Sequence, residues 1–166
     1  MINDPGNPKE AYSCAVDILS RRDRSEKDLY DRLIEKGFEG SAAAEALKKL
    51  KEKHYIDDVR MASHFIATHM SQQSITQLRY KLIQKGISAE DIATAISIAG
   101  DEAEDEGESL RVRQSSAVLG ILRKKKYDSS APSAEKILAS IYRKGFSYDI
   151  IRESIALYEK ENIEEQ

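Results

Sequence analysis

The sequence predicts an all-α protein, an elongated array of three tandem three-helix repeats of helix-turn-helix-like form. Three observations carry that expectation. The first is a segment that recurs: SEKDLYDRLIEKGF from Ser25 to Phe38, SITQLRYKLIQKGI from Ser74 to Ile87, and SAEKILASIYRKGF from Ser133 to Phe146. In each copy a serine opens the segment and Lys-Gly follows at one distance, pairing Ser25 with Gly37, Ser74 with Gly86 and Ser133 with Gly145. The second is the apolar pattern eight and four positions before each glycine: Leu29 and Leu33, Leu78 and Leu82, Ile137 and Ile141. That spacing lines one face of a helix. The third is composition. Of 166 residues, 33 % are charged and 40 % hydrophobic, with only three prolines and eight glycines, the profile of a folded helical chain.

Taken in order, Met1 to Pro8 holds two prolines, a glycine and two asparagines and reads as a tail (1–8). A lead helix follows from Lys9 to about Arg22, with Tyr12, Ala15, Val16 and Leu19 on one side. Cys14 lies near Ala11, Ala15 and Ile18 and reads as a buried small hydrophobe. As the single cysteine, it forms no internal disulfide, which suits a reducing cytoplasm. The repeated segment comes next. Its serine is the expected N-cap, accepting from a backbone N–H that the first turn leaves unpaired. Asp28 and Gln77 stand in the capping-box position, while Lys136 in the third copy lacks the reciprocal half. The glycine marks a left-handed helix end, which costs least without a Cβ.

A return helix then runs from Ser41 to Lys53 through Ala43, Ala46, Leu47 and Leu50. Its counterparts are Ile92, Ala95 and Ile96 after Gly86, and Ile151, Ser154 and Ile155 after Gly145. The second lead helix is expected over Asp57–Met70, with Met61, Ala62, Phe65 and Ile66 inward. The third is expected over Ser109–Arg123, with Val112, Ala117, Val118, Ile121 and Leu122 inward. The repeats are therefore expected at 9–56, 57–100 and 109–160, with an acidic linker at 101–108 and a tail at 161–166. A unit of about 50 residues buries too little surface to be robust alone, so stacking between neighbours should supply the rest.

No catalytic constellation emerges. His64 and His69 are five apart, a step of about 140° around a helix, so their rings diverge; with His54 they make no metal site. There is no phosphate-binding glycine loop, nucleophile elbow or paired-cysteine zinc pattern. No enzyme, cofactor or metal is expected. No apolar run reaches membrane-spanning length, and Met1–Ala11 has no secretory hydrophobic stretch.

Two features remain. His54-Tyr55-Ile56-Asp57-Asp58 joins the first repeat to the second; Tyr55 and Ile56 are expected to plug the seam, and Asp57 or Asp58 to cap the next helix. The other is charge. Net charge is −3 from 29 acids and 26 bases, against a globally basic nucleic-acid binder. Yet Asp101–Glu108 holds six acids and no base, and Ser109–Lys126 six bases and no acid. The basic set is Arg21, Arg22 and Arg24; Arg79, Lys81 and Lys85; Arg111, Arg113, Arg123, Lys124, Lys125 and Lys126; and Arg143 with Lys144. Recurring beside the same helix, these residues suit the regular phosphates or carboxylates of a filament.

Three stretches, AVDILSRRDRSEKDLYDRLIEKGF (Ala15–Phe38), HYIDDVRMASHFI (His54–Ile66) and ITQLRYKLIQKGI (Ile75–Ile87), resemble the RecX family, regulators of the RecA recombinase. The resemblance covers Ala11–Ala99 and is fainter over Ile137–Ile155. It implies a cytoplasmic, non-enzymatic array of three-helix repeats that lodges in the groove of the RecA–DNA filament, bridges neighbouring protomers and lowers its ATPase and strand exchange; a monomer is expected, with single- or double-stranded DNA a second partner. Two departures stand out. The family's basic, glycine-containing end of the second lead helix is here Ala67–Gln73, without lysine, arginine or glycine, and His54 stands where glycine is usual. Two other readings stay open: a direct DNA-binding helix-turn-helix module, and a helical scaffold for another protein. From adjacency alone, the acids at 101–108 are expected to shield the basic block that follows.

Overall fold

The structure, a computed structural model, describes residues 4–105 and 109–164. Among the described residues the chain forms nine α-helices and no strand. They run as three successive sets of lead, capped and return helix. The first set is α1 (Pro8–Leu19), α2 (Glu26–Glu35) and α3 (Gly40–Glu52). The second is α4 (Asp58–His69), α5 (Ile75–Gln84) and α6 (Ala89–Asp105). The third is α7 (Leu110–Lys125), α8 (Ala134–Arg143) and α9 (Tyr148–Glu164). α6 continues through Asp105, so the first acids of the expected linker are helical backbone; residues 106–108, and the shielding role proposed for that acidic stretch, lie outside the described residues.

The chain divides into two compact units, Met1–Ala62 with Leu82–Thr94, and Ser63–Lys81 with Ala95–Gln166. In the first, α1 packs on α3 and α2 around Ala11, Ala15, Leu29, Leu33, Phe38 and the Ala42–Leu50 face of α3, with Ile56 closing the cluster. In the second, α7 packs on α9 and α8 around Val118, Leu122, Ile137, Ile141, Phe146 and Ile151. The apolar pair of each capped helix is buried in all three copies.

The three Lys-Gly turns adopt the left-handed backbone expected of them, with φ of 100°, 82° and 77° at Gly37, Gly86 and Gly145. Phe38 and Ile87 then return their N–H to the carbonyls of Leu33 and Leu82, satisfying groups the helix end leaves open. Ser25 and Ser74 cap as expected, their Oγ accepting from Asp28 N at 3.2 Å and Gln77 N at 3.1 Å.

Each of these serines also reaches into the repeat that follows. Ser25 Oγ donates to the Lys85 carbonyl at 2.5 Å, and Ser74 Oγ donates to the Lys144 carbonyl. A side chain from the following lead helix completes each joint. Asp58 Oδ1 accepts from Glu26 N at 3.0 Å, and Gln114 Oε1 accepts from Ile75 N at 3.1 Å. The glycines are needed here for space as well as for φ. A Cβ on Gly86 would stand 2.9 Å from Lys27 Cβ, and one on Gly145 2.9 Å from Ser74 Oγ.

Several expectations are corrected. Ser133 sits in the right-handed helical region with no side-chain cap bond; the turn before α8 is closed instead by Ala134 N to the Ala131 carbonyl. The Asp28 carboxylate turns to Arg24 and Arg32, not back to the cap. α1 stops at Leu19, three residues short of Arg22, and Val16 is exposed. Val112 is exposed because the inner face of α7 opens with Gln114 and Ser115, both buried. Tyr55 is 59 % exposed, so of the seam pair only Ile56 packs inside. Asp57 is the residue that caps α4, accepting from Arg60 N at 2.8 Å, while Asp58 serves α2.

Candidate partner-binding site

The α1–α2 loop, the start of α2, Met61 of α4 and the turn after α5 enclose a cleft of about 370 Å³. Arg22, Arg24, Lys27 and Lys85 line it together with Asp23, Asp28 and Asp31, and Met61 and Ile83 give it an apolar side. The Ser25–Lys85 bond holds its two walls together.

Charge inside the cleft is partly neutralised. Arg24 Nη1 and Arg32 Nε both reach Asp28 Oδ2, at 3.1 and 3.0 Å. Burial works to raise the Asp28 pKa, but hydrogen bonds and charge from Arg32 and Arg24 outweigh it and hold the carboxyl below its ordinary value. Lys27 pairs with Asp31 at 2.7 Å. Arg24 Nε is buried with no hydrogen-bond partner. Arg22 is exposed at the rim. A second recess of about 530 Å³ lies between α1 and α2, lined by Cys14 and Ile18, by Arg21, Arg24, Arg32 and Lys36, and by Asp17 and Glu35. Cys14 is half-buried against the core.

The remaining predicted residues are dispersed. Arg79 and Lys81 are exposed on α5, with Lys81 Nζ 2.7 Å from Gln73 Oε1. Arg111 pairs with Glu153 at 3.0 Å and Arg123 with Glu161 at 2.7 Å, tying α7 to α9. Arg113 is half-buried, its Nη1 3.9 Å from Met70 Sδ. Lys124, Lys125 and Lys126 are exposed at the C-terminal end of α7, where cations suit the helix dipole. Arg143 is exposed and donates to the Ala139 carbonyl; Lys144 is half-buried, its own carbonyl engaged by Ser74. Sequence reasoning missed Arg32 and Lys36, which join the basic recess. It also missed Ile34, Ile83 and Tyr142, each exposed three positions before the glycine, a regularity visible in the aligned copies.

Among the described residues no group of three or more His, Cys, Asp or Glu side chains is placed to hold a metal ion. His64 is exposed, and His69 stacks on Phe65 with ring centroids 4.3 Å apart. No helix of the described residues is long and apolar enough to cross a membrane.

Fold and site together define a helical-repeat protein of capped three-helix units with a mixed-charge cleft at a repeat joint. Residues 11–55 match the model of the RecX first three-helix domain, and residues 57–96 that of the RecX second three-helix domain. A Regulatory protein RecX from Caldanaerobacter subterraneus subsp. tengcongensis is 34 % identical over 90 % of this chain and 71 % of its own length. One from Bacillus pumilus is 32 % identical over 89 % of this chain and 54 % of its own length. The crystal structure of RecX from Lactobacillus salivarius has the same fold, with a TM-score of 0.73 at 23 % identity, covering 92 % of this chain and 96 % of that one. The chain belongs to the RecX family of regulatory proteins. It spans about half to two thirds of the length of several curated relatives it matches.

Proposed function

We propose that this chain is a non-enzymatic regulator of the RecA recombinase, binding as a monomer in the groove of the RecA–DNA filament and lowering its ATPase and strand exchange. Family membership supports the regulatory role. The observation that carries the contact assignment is the cleft at the first joint, where Arg22, Arg24 and Lys85 are gathered around Ile83 and the walls are bonded through Ser25. The serine opening each of the first two capped helices is bonded to the lysine carbonyl of the repeat that follows, which supports reading these turns as built contact points. The repeats at 9–56, 57–100 and 109–160 are the units of contact. Arg21, Arg22, Arg24, Arg79, Lys81 and Lys85 form the main contact set, and Arg111, Arg113, Arg123 to Lys126, Arg143 and Lys144 a further basic surface. The protein works in the cytoplasm.

The test is a titration into RecA filaments preassembled on single-stranded DNA, following ATP turnover. Inhibition is expected below equimolar protein, and turnover unchanged at equimolar protein would sink the proposal. Arg22→Ala combined with Lys85→Ala should raise the half-inhibitory concentration by about fivefold to tenfold, as loss of exposed interface charges does. The exposed Lys124–Lys126 run favours direct DNA binding as a second reading. It requires binding to bare DNA with a slope of about −0.9 in log K against log salt for each phosphate neutralised.

A further inference from the structure

The three copies of the capped helix differ at almost every exposed position. Six residues before the glycine stand Asp31, Tyr80 and Ala139; five before it, Arg32, Lys81 and Ser140; two before it, Glu35, Gln84 and Arg143. Two positions keep their chemistry. Three before the glycine there is a large apolar side chain in every copy, and it faces water: Ile34 is 40 %, Ile83 51 % and Tyr142 43 % exposed. One before the glycine there is always lysine: Lys36, Lys85 and Lys144.

Scattered surface hydrophobes are ordinary. A surface hydrophobe held in one register of three otherwise divergent copies is not, because nothing in the packing asks for it. The core is served by the residues four and eight before the glycine, which are buried. Neither Ile34 nor Ile83 has a polar atom with which to contact a phosphate. Around Ile83 the surroundings are concave and of mixed charge, with Arg22, Arg24 and Lys85 lining the same cleft as Asp23, Asp28 and Asp31, and Met61 beside it. In the second and third repeats the turn carrying the pair is pinned by the serine bond to the lysine carbonyl. Tyr142 is further braced against Tyr148, their rings near parallel at 6.5 Å.

We propose that Ile34, Ile83 and Tyr142 are apolar anchors, one per repeat, that dock on the protein face of a polymer whose identical subunits each offer an apolar socket edged by carboxylates. The lysine two residues on meets the carboxylate. Apolar anchors beside cations fit a protein surface and not a phosphate backbone, whose binding is dominated by charge. The inference rests on the filament reading above and makes the recombinase, not its DNA, the main ligand.

The experiment measures binding of the full chain to RecA filaments on single-stranded DNA, and separately to the same oligonucleotide bare. Ile34→Ala, Ile83→Ala and Tyr142→Ala are made singly and together, with Leu157→Ala, an equally exposed residue outside the register (43 %), as control. Alanine keeps the helix, and thermal unfolding checks the fold of each variant. Each single anchor variant should weaken filament binding about fivefold or more, and the triple variant more than any single one, while the control leaves it unchanged. Ile83→Asp, which brings a charge toward the partner's carboxylates, should lose more than Ile83→Ala. If the wild-type chain fails to bind filaments, the filament reading falls and takes the anchors with it. If wild type binds and the folded variants bind within twofold of it, the anchors fall alone. Equal loss on bare oligonucleotide and filament assigns the surface to nucleic acid and overturns the proposal.

Discussion

The hydroxyl of Ser25 accepts the N–H of Asp28 at 3.2 Å and donates its own proton to the Lys85 carbonyl at 2.5 Å. Ser74 repeats both bonds one repeat later. Alanine at either site removes a helix cap and the donor to a carbonyl in the next repeat. Each substitution should cost about 1–2 kcal/mol. Ser133→Ala should be near neutral, because that serine makes no cap bond. Urea unfolding of the three variants side by side checks this, and equal losses would show the joints to be unimportant. A second residue-level strain sits at His54, whose φ of +57° is one that side chains other than glycine pay for in steric contact with their own backbone. His54→Gly should raise stability by about 0.5–1 kcal/mol, net of the freedom glycine gains when unfolded. A lower melting temperature would mean that the imidazole makes up the difference.

At the scale of the helix, two carboxylates at the start of α2, its own Asp28 and Asp58 of α4, show opposite pH behaviour. Asp28 has its pKa below the ordinary aspartate value of 3.8. Its contribution to stability is therefore present above that value and lost as pH falls through the lower folded pKa. Asp58 lies above 3.8, chiefly by burial and then through the Glu26 and Asp91 charges, partly offset by the Glu26 N–H and by Lys51. The folded state takes up its proton more readily than the unfolded chain, so ionised Asp58 carries a penalty at neutral pH that disappears below the unfolded value. Asp28→Asn should destabilise at pH 7, by about 0.5 kcal/mol for so exposed a pair. Asp58→Asn, which still accepts from Glu26, should be at least as stable as wild type at pH 7. The Asp58 difference should close at about pH 3, below the ordinary aspartate value, whereas the Asp28 difference, held by a lower folded pKa, should close only at lower pH. Denaturation at the two pH values decides it, and a loss for Asp58→Asn at pH 7 would reverse the sign assigned here. Helices of this kind were legible because serine, two leucines and glycine encode a start, a buried face and a stop within one segment. The inner face of α7 was not, since an apolar-side rule places Val112 inward, whereas the joint requires Gln114 there. The cleft was legible only as a list of cations; that Arg24 and Lys27 would be tied to Asp28 and Asp31 depends on side-chain geometry one helical turn away.

For the molecule as a whole, what is repeated is the joint as much as the helices, and Gln114 exposes its importance in the second unit most directly. It is 4 % exposed. Its Oε1 accepts from Ile75 N at 3.1 Å, and its Nε2 lies 3.2 Å from the Met70 carbonyl and 3.3 Å from that of Gln73. One side chain thus closes the start of α5 and both ends of the α4–α5 loop. Gln114→Ala leaves these backbone groups without that partner, at a cost of about 2–4 kcal/mol. Gln114→Leu should do no better, since it restores volume but no hydrogen bond. Because each compact unit has its own core, the damage should stay local. Hydrogen exchange should accelerate over Met70–Leu78 and α7 while amides of α1–α3 keep their protection. Faster exchange spread evenly through α1–α3 would mean that the chain unfolds as one cooperative body, and that the joint is not where its stability is divided.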